Sequence, residues 1–205
     1  MSTRHLLQSP PPLTAADAAC LDAFQRELDY LYRTLRRLGT GPSEVEDLAQ
    51  EVFIALRGSW PAYDPDRPLR PYLFGIAFRI AATHNRKRKR ELVIEAIDLP
   101  DNGPSPDDAL ASKEARALIL AALERIPLPR RAVLVMHDID GVSVDETAAT
   151  LSIPRFTVYS RLRKARRELE TAVRRLTNET VAAEPRRRPE GVLGLFPGAP
   201  AYPAP

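Results

Sequence analysis

The stretch from residue 91 to residue 112 does most to limit how this chain can fold. It carries Pro100, Asn102-Gly103-Pro104 and Pro106 among acidic residues. Proline removes a backbone donor and Asn-Gly favours a turn, so no helix or strand crosses such a run. On both sides of it the apolar residues recur with a helical period, and alternating, strand-like patterns are nearly absent. The expected fold is all-α: two small helical domains, the first with a three-helix core, joined by a flexible linker. A length of 205 residues accommodates two such domains.

Ahead of the break, residues 1–12 include Ser9-Pro10-Pro11-Pro12 and read as a flexible lead-in. Leu21, Phe24, Leu28, Leu31, Leu35 and Leu38 then predict one helix from Leu13 to Leu38, stopped by Gly39 and Gly41-Pro42. Ser43 with Glu46 predicts a capping box that opens a helix to about Arg57. A loop rich in Pro, Asp and aromatics follows over 58–68. A third helix is expected over 69–90, with Pro71 tolerated in its first turn, where amides lack intrahelical partners. The front domain thus spans 13–90, and residues 91–112 form an acidic linker. Behind it, helical segments at about 113–125, 130–138, 143–151 and 155–176 make a rear domain over 113–176. Residues 177–205 read as a disordered tail.

The rear domain has the form of a DNA reader. Ser143 with Glu146 predicts a second capping box and a short helix to Leu151; Ser152-Ile153-Pro154 is a tight turn, and a basic helix starts at Arg155. Short helix, turn and basic helix is the order of a helix-turn-helix, whose second helix enters the major groove. Projected at about 100° per residue, Val158, Leu162, Ala165, Leu169 and Val173 share the inward face. Phe156, Ser160, Arg163 and Arg167 lie opposite, with Thr157 and Lys164 beside them and Tyr159 at the flank. Two readings of Phe156 stay open: contact with a thymine methyl, or folding back over the turn onto Ile153. Arg163 can donate two bonds to a guanine. Ser160 suits a base or a phosphate, and Tyr159 suits a phosphate or a base edge. Arg161, Lys164 and Arg167 suit phosphates.

The front domain shows two further surfaces. On the helix 43–57, Val45, Leu48, Ala49, Val52 and Leu56 form the inward stripe. Asp47, Gln50, Glu51 and Ile54 share the outer face, an apolar residue framed by acid and amide groups that suits a basic protein partner. On the helix 69–90, Leu69, Leu73, Ile76 and Ile80 point inward with Tyr72 at the edge. Phe74 and Phe78 lie elsewhere, either packing on the Leu13–Leu38 helix or free to stack bases. Trp60 and Tyr63 stand in the loop just ahead, and Arg86-Lys87-Arg88-Lys89-Arg90 supplies backbone charge. Aromatics beside a basic groove suit single-stranded DNA. A unit that holds unpaired bases, tethered to one that reads a duplex, fits a protein that opens DNA at a set distance from a recognition sequence.

Other classes fit less well. Cys20 is the only cysteine, so neither an internal disulfide nor a cysteine-based zinc site can form, and a small buried apolar role is expected. His5, His84 and His137 are scattered without any HExxH, paired-carboxylate or glycine-rich phosphate motif, so no catalytic residue, metal, cofactor or small-molecule substrate is expected. No apolar run reaches signal-peptide or membrane-span length, which points to the cytoplasm and against membrane insertion. A stand-alone helix-turn-helix regulator would account for the rear domain, but it leaves the Asp47 face and the aromatic helix without work.

Asp47-Leu48-Ala49-Gln50-Glu51-Val52-Phe53, Trp60 through Asp64, and Pro71-Tyr72-Leu73-Phe74-Gly75-Ile76-Ala77 resemble region 2 of the extracytoplasmic-function sigma factors of the sigma-70 family. Leu123 to Leu169, including Ile126-Pro127, Gly141-Val142-Ser143, Glu146-Thr147-Ala148 and Thr157-Val158-Tyr159-Ser160-Arg161-Leu162-Arg163-Lys164, resembles region 4. The order and spacing carry the resemblance over most of residues 15 to 175. It implies a factor that binds core RNA polymerase through the β′ clamp and β flap, recognises promoter DNA, and is open to control by an anti-sigma factor. By the same resemblance, Asp47, Gln50, Glu51 and Ile54 would dock on the clamp. Trp60, Tyr63, Tyr72, Phe78, Arg79, Thr83, Arg86 and Lys87 would capture and melt the −10 element. Arg155, Phe156, Thr157, Tyr159, Ser160, Arg161, Arg163, Lys164 and Arg167 would read the −35 element, and the acidic spacer resembles the linker that threads toward the polymerase active centre. The chain departs from the family's usual residues: members carry an Asn near the position of Arg79 and an acid near Thr83, and they have Gly where Phe156 stands and Lys where Tyr159 stands. These departures imply altered strand-opening contacts and an unusual upstream preference.

Overall fold

A computed structural model describes residues 14–91 and 107–183, with side chains for 14–88 and 114–179. The lead-in at 1–12, linker residues 92–106 and the tail from 184 onward lie outside the described residues. Every regular element among the described residues is helical.

The first expected helix is in fact two, so the front half has four helices rather than three. α1 (Ala15–Arg26) starts at Thr14, whose hydroxyl accepts from the Asp17 amide while the Asp17 carboxylate accepts from the Thr14 amide, both at 3.1 Å. α2 (Leu28–Arg37) follows at once, with Glu27 between them at φ −103°, ψ 8°. Nothing local breaks the chain there. The Glu27 carboxylate accepts from Arg70 Nε at 2.8 Å, and the bend lets α1 lie on the helix that starts at Val45 while α2 contacts that helix and two later ones. Gly39 ends α2 with φ +92°: its amide donates to the Arg36 carbonyl at 3.0 Å, and the Thr40 amide donates to the Leu35 carbonyl at 3.1 Å. This double closure satisfies carbonyls the helix end would orphan, and it requires the left-handed backbone that glycine adopts freely.

The predicted Ser43–Glu46 capping box does not form. Pro42 sets its own φ and starts a 3-10 turn over Pro42–Glu44, so the reciprocal bond falls between the Glu44 carboxylate and the Gly41 amide at 3.2 Å. α3 (Val45–Ser59) then buries Val45, Leu48, Ala49, Val52 and Leu56, the stripe its spacing predicts. A 3-10 turn at Trp60–Ala62 leads through the loop to α4 (Leu69–Glu91).

In the rear half, α5 (Asp107–Glu124) starts inside the stretch expected as linker. α6 (Leu128–Leu134) runs into a π-helical turn, Val135–Ile139. α7 (Val144–Leu151) begins at Ser143, whose hydroxyl accepts from the Glu146 amide at 3.2 Å. α8 (Arg155–Ala183) continues past Leu176, so residues 177–183 are helix and not tail; Glu179 receives Arg125 at 3.1 Å, which ties the extension to the end of α5.

One buried cluster joins Leu31, Leu35, Val52, Leu73 and Phe74 of the front half to Leu123, Ile126 and Met136 of the rear. Each fully buried side chain of this size stabilises the fold by about 1.5–3 kcal/mol. A smaller cluster of Val133, Ala148, Val158 and Leu162 pins α7 and α8 together. The halves meet where α2 touches α5 and where α4 touches α7.

Candidate nucleic-acid and polymerase interfaces

The angle between α7 and α8 is set by Ser152, which sits in the left-handed region at φ 53°. Its amide donates to the Ala149 carbonyl at 3.2 Å and the Ile153 amide donates to the Ala148 carbonyl at 3.0 Å, so α7 closes as α2 does, here with a serine in the strained position. Pro154 then opens α8, accepting from the Thr157 and Val158 amides. Val158, Leu162, Ala165 and Ala172 are buried on its inner face, with Leu169 and Val173 half-buried.

The outer face of α8 is open. Phe156 is 74% exposed and Tyr159 57% exposed, so Phe156 stands in solvent and does not fold over Ile153. Exposed Arg163, Lys164 and Arg167 pair with no carboxylate among the described residues. Three other cations nearby are engaged. Arg155 pairs with Asp145 across the turn at 2.5 Å, Arg166 grips Asp138 with two bonds of 2.8 and 2.7 Å, and Arg130 pairs with Glu168 at 2.7 Å. Arg166 holds the Asp138 carboxyl below its ordinary value by hydrogen bonding. Ser160 turns its hydroxyl back to the Thr157 carbonyl at 3.1 Å, while Thr157 and Arg161 are half-buried.

In the front half the loop aromatics make a run of ring contacts. Trp60 lies on Tyr63 with centroids 5.1 Å apart at 21°, and Tyr63 meets Tyr72 of α4 at 5.1 Å and 41°. The Tyr63 hydroxyl donates to the Arg67 carbonyl at 2.5 Å, which fastens the loop, and burial raises its phenol above the ordinary value. Tyr63, Tyr72 and exposed Arg79 line a cavity of about 700 Å³. Of the other expected −10 residues, Phe78 is half-buried against the core, Trp60 packs on the core edge, and Thr83 donates to the Arg79 carbonyl at 3.1 Å; Arg86 and Lys87 are exposed further along α4. Phe74, which sequence left open, is fully buried. On α3, Asp47, Gln50, Glu51 and Ile54 share one exposed face, with Ile54 69% exposed.

Known proteins match this arrangement in order and extent. The family model of Sigma-70 region 2 matches residues 23–91, and that of Sigma-70, region 4 matches residues 116–169. The chain is 31% identical over 160 residues to the ECF RNA polymerase sigma factor SigE of Mycolicibacterium smegmatis; the match spans 76% of this chain and 62% of that relative. It is 32% identical over 163 residues to the RNA polymerase sigma-E factor of Streptomyces coelicolor, spanning 78% of this chain and 90% of the other. The solved structure of CnrH in complex with the cytosolic domain of CnrY is similar with a TM-score of 0.55 and 25% identity, over 75% of this chain and 86% of that one.

The chain belongs to the extracytoplasmic-function sigma factors of the sigma-70 family. As a member it directs transcription initiation by RNA polymerase, and it is a non-enzymatic factor. The sigma-factor frame gives each surface a context: the aromatic stack and the α3 face fall in region 2, and α7 and α8 fall in region 4. Sequence reasoning missed Arg67 and Gly75 as lining of the front cavity, because a loop arginine and a helix glycine carry no periodic signal. It also missed that Asp145, Glu146 and Thr150 of α7 line the same cavity, a juxtaposition only the packing of the halves creates.

Proposed function

We propose that residues 13–90 act as region 2 and residues 113–176 as region 4 in the following division of labour, with 91–112 as the linker between them. The exposed α3 face of Asp47, Gln50, Glu51 and Ile54 docks on the polymerase β′ clamp, and region 4 meets the β flap. Tyr63, Tyr72 and Arg79, with Trp60, Phe78, Thr83, Arg86 and Lys87 around them, capture and open the −10 element. α8 reads the −35 element: Phe156 and Tyr159 contact base edges, Arg163 a guanine, and Arg155, Arg161, Lys164 and Arg167 the phosphates, with Thr157 and Ser160 between. The chain works in the cytoplasm, where core polymerase is found, and a protein inhibitor of the anti-sigma type is a fitting partner, since the similar CnrH is complexed with a protein domain.

The observation that carries this reading is the pairing pattern on α8. Arg155 and Arg166 of α8 are tied to acids, while Arg163, Lys164 and Arg167 beside two bare aromatics are left open. A solvated face has no reason to expose a phenylalanine among unpaired arginines, whereas a groove-reading face does. In vitro transcription with core polymerase on a promoter library tests the division. Arg163→Ala alters which upstream sequences are used, with about 1–3 kcal/mol lost at the preferred base. Asp47→Ala with Ile54→Ala weakens polymerase binding at every promoter alike. If both variants give the same profile of losses, the division is wrong.

A further inference from the structure

The start of α8 presents two aromatic side chains that nothing in the protein covers. Among the described residues five large apolar side chains are exposed, and the two aromatic ones, Phe156 and Tyr159, stand three residues apart on this helix. At that spacing the Cβ atoms are neighbours, about 5–6 Å apart. Neither ring packs on another ring or beneath a guanidinium among the described residues. The backbone that carries them is nevertheless firmly held. Arg155 is tied to Asp145 of α7, the Pro154 carbonyl accepts from the Thr157 and Val158 amides, and Val158 is fully buried. A rigid helix start therefore holds both rings out in water.

The chemistry of the rings narrows what they can meet in a DNA groove. Phenylalanine has neither donor nor acceptor, so pressing it on the polar edge of a base would desolvate that edge and return no hydrogen bond. The major groove presents one apolar group, the 5-methyl of thymine. A 5-methylcytosine carries the same methyl in the same place and differs beside it, with an amino donor where thymine has a carbonyl acceptor. Phe156 cannot sense that difference. Tyr159 adds a hydroxyl that either donates to thymine O4 or accepts from a cytosine amino group. Arg163, Lys164 and Arg167, which have no acidic partner among the described residues, favour a polyanion as the surface that covers the rings.

We infer that Phe156 and Tyr159 read pyrimidine 5-methyl groups on neighbouring base pairs, and that Phe156 takes thymine and 5-methylcytosine alike. The inference rests on the proposed reading of α8 as the helix that enters the upstream element. Arg163 lies seven residues beyond Phe156, about 10 Å along the axis, or roughly three base-pair steps. The methyl groups therefore fall within about three base pairs of the guanine that Arg163 contacts. A cytosine in the Phe156 position is read as a thymine once it is methylated, so upstream recognition responds to cytosine methylation.

The test uses the full chain with core polymerase, on the upstream sequence that the promoter library selects. Each thymine of that element is replaced in turn by uracil, which removes the methyl and nothing else, and complexes are measured by electrophoretic mobility. One or two neighbouring replacements are expected to weaken binding about fourfold each, the factor for one methyl group returned to water. Cytosine placed where Phe156 reads binds less well than thymine, and 5-methylcytosine recovers about fourfold. Phe156→Ala abolishes both the uracil penalty and the 5-methylcytosine gain at that pair, whereas Phe156→Leu, which stays apolar, retains part of each. Circular dichroism confirms that both variants keep their helices. An element selected without thymine, a uracil penalty at no position, or a penalty that Phe156→Ala leaves unchanged overturns the inference; Arg163→Ala still shifts upstream preference in those cases, and α8 remains the reader. Failure of the underlying reading looks different: Phe156→Ala and Arg163→Ala then both leave the selected upstream sequence as it was.

Discussion

Replacing Gly39 by alanine tests the seam between the two halves through stability alone. The residue sits at φ +92°, where an L side chain is strained by about 1–2 kcal/mol. Its new Cβ would also collide with Arg131 Nη1, so the guanidinium has to swing away. That group is buried and well held: Nη2 donates to the Glu124 carbonyl at 2.7 Å and to the Ile126 carbonyl at 3.0 Å, and Nε donates to Ile126 at 3.2 Å. Burial pushes the Arg131 pKa down to about 10, so the group is still charged at neutral pH and each bond it makes is a charged one. Losing one such bond costs about 1.5–3 kcal/mol. The sum is a destabilisation of about 2.5–5 kcal/mol, large for a single added methyl group.

Urea denaturation followed by circular dichroism gives the number, and a double-mutant cycle assigns it. Arg131→Met keeps an unbranched side chain of similar reach and removes the fork that collides. In that background Gly39→Ala should cost only its backbone strain, about 1–2 kcal/mol, leaving a coupling of about 1.5–3 kcal/mol between the two positions. A Gly39→Ala cost of only 1–2 kcal/mol in both backgrounds, about the strain alone, would refute the reasoning, because it would mean that Arg131 does not lie against this turn.

Two further outcomes follow from local geometry. Ser152→Gly relieves a left-handed serine at the turn between α7 and α8 and should raise stability by about 0.5–1 kcal/mol, read as a higher thermal midpoint; a lower midpoint would show that the serine side chain matters more than its backbone. Asp138 is held below its ordinary value by Arg166, so the pair adds stability above the unfolded carboxyl's value near 3.8 and loses it as pH falls through the lower folded value. The stability difference between the parent and Arg166→Ala should therefore be flat from pH 5 to 8 and shrink only below about pH 4, measured by urea titrations across pH.

Features with a short-range cause were legible in the sequence. The buried stripe of α3 and the inner face of α8 follow from period alone, and Gly39 stops α2 because its backbone freedom is a local property. The exposed quartet of Asp47, Gln50, Glu51 and Ile54 is the complement of that stripe, so it too could be read. The bend at Glu27 could not, since no local residue marks it and the contacts it permits, the ion pair with Arg70 and the packing of α1 on α3, are made far along the chain. The capping box was misplaced by a proline whose effect on the first turn outweighed the Ser–Glu spacing. Phe74 and Phe78 looked equivalent at i and i+4, yet α4 packs on α2, α3 and α7, which leaves Phe74 without solvent and Phe78 half-covered. The seam was the least legible part: Asp140 is an ordinary loop aspartate until a π-helical turn aims it at α2.

The energetics of that aspartate suit a contact that sets geometry more than strength. Burial raises the Asp140 carboxyl above its ordinary value, and the opposing pull of the Tyr30 hydroxyl and the Arg37 guanidinium does not fully offset it. Tyr30 is likewise pushed up, first by its own burial and then by the nearby carboxylate. A polar group that remains costly to ionise after finding its partners contributes geometry more than adhesion, because desolvation consumes much of what the pairing supplies. Removing one partner alone would strand a buried charge, which fixes the register in which the halves meet. Letting both partners return to water together costs far less, since each recovers its hydration. The contact therefore fixes one register between the halves, while the apolar contacts between Leu31, Leu35 and the rear-half residues Leu123 and Ile126 supply more of the adhesion.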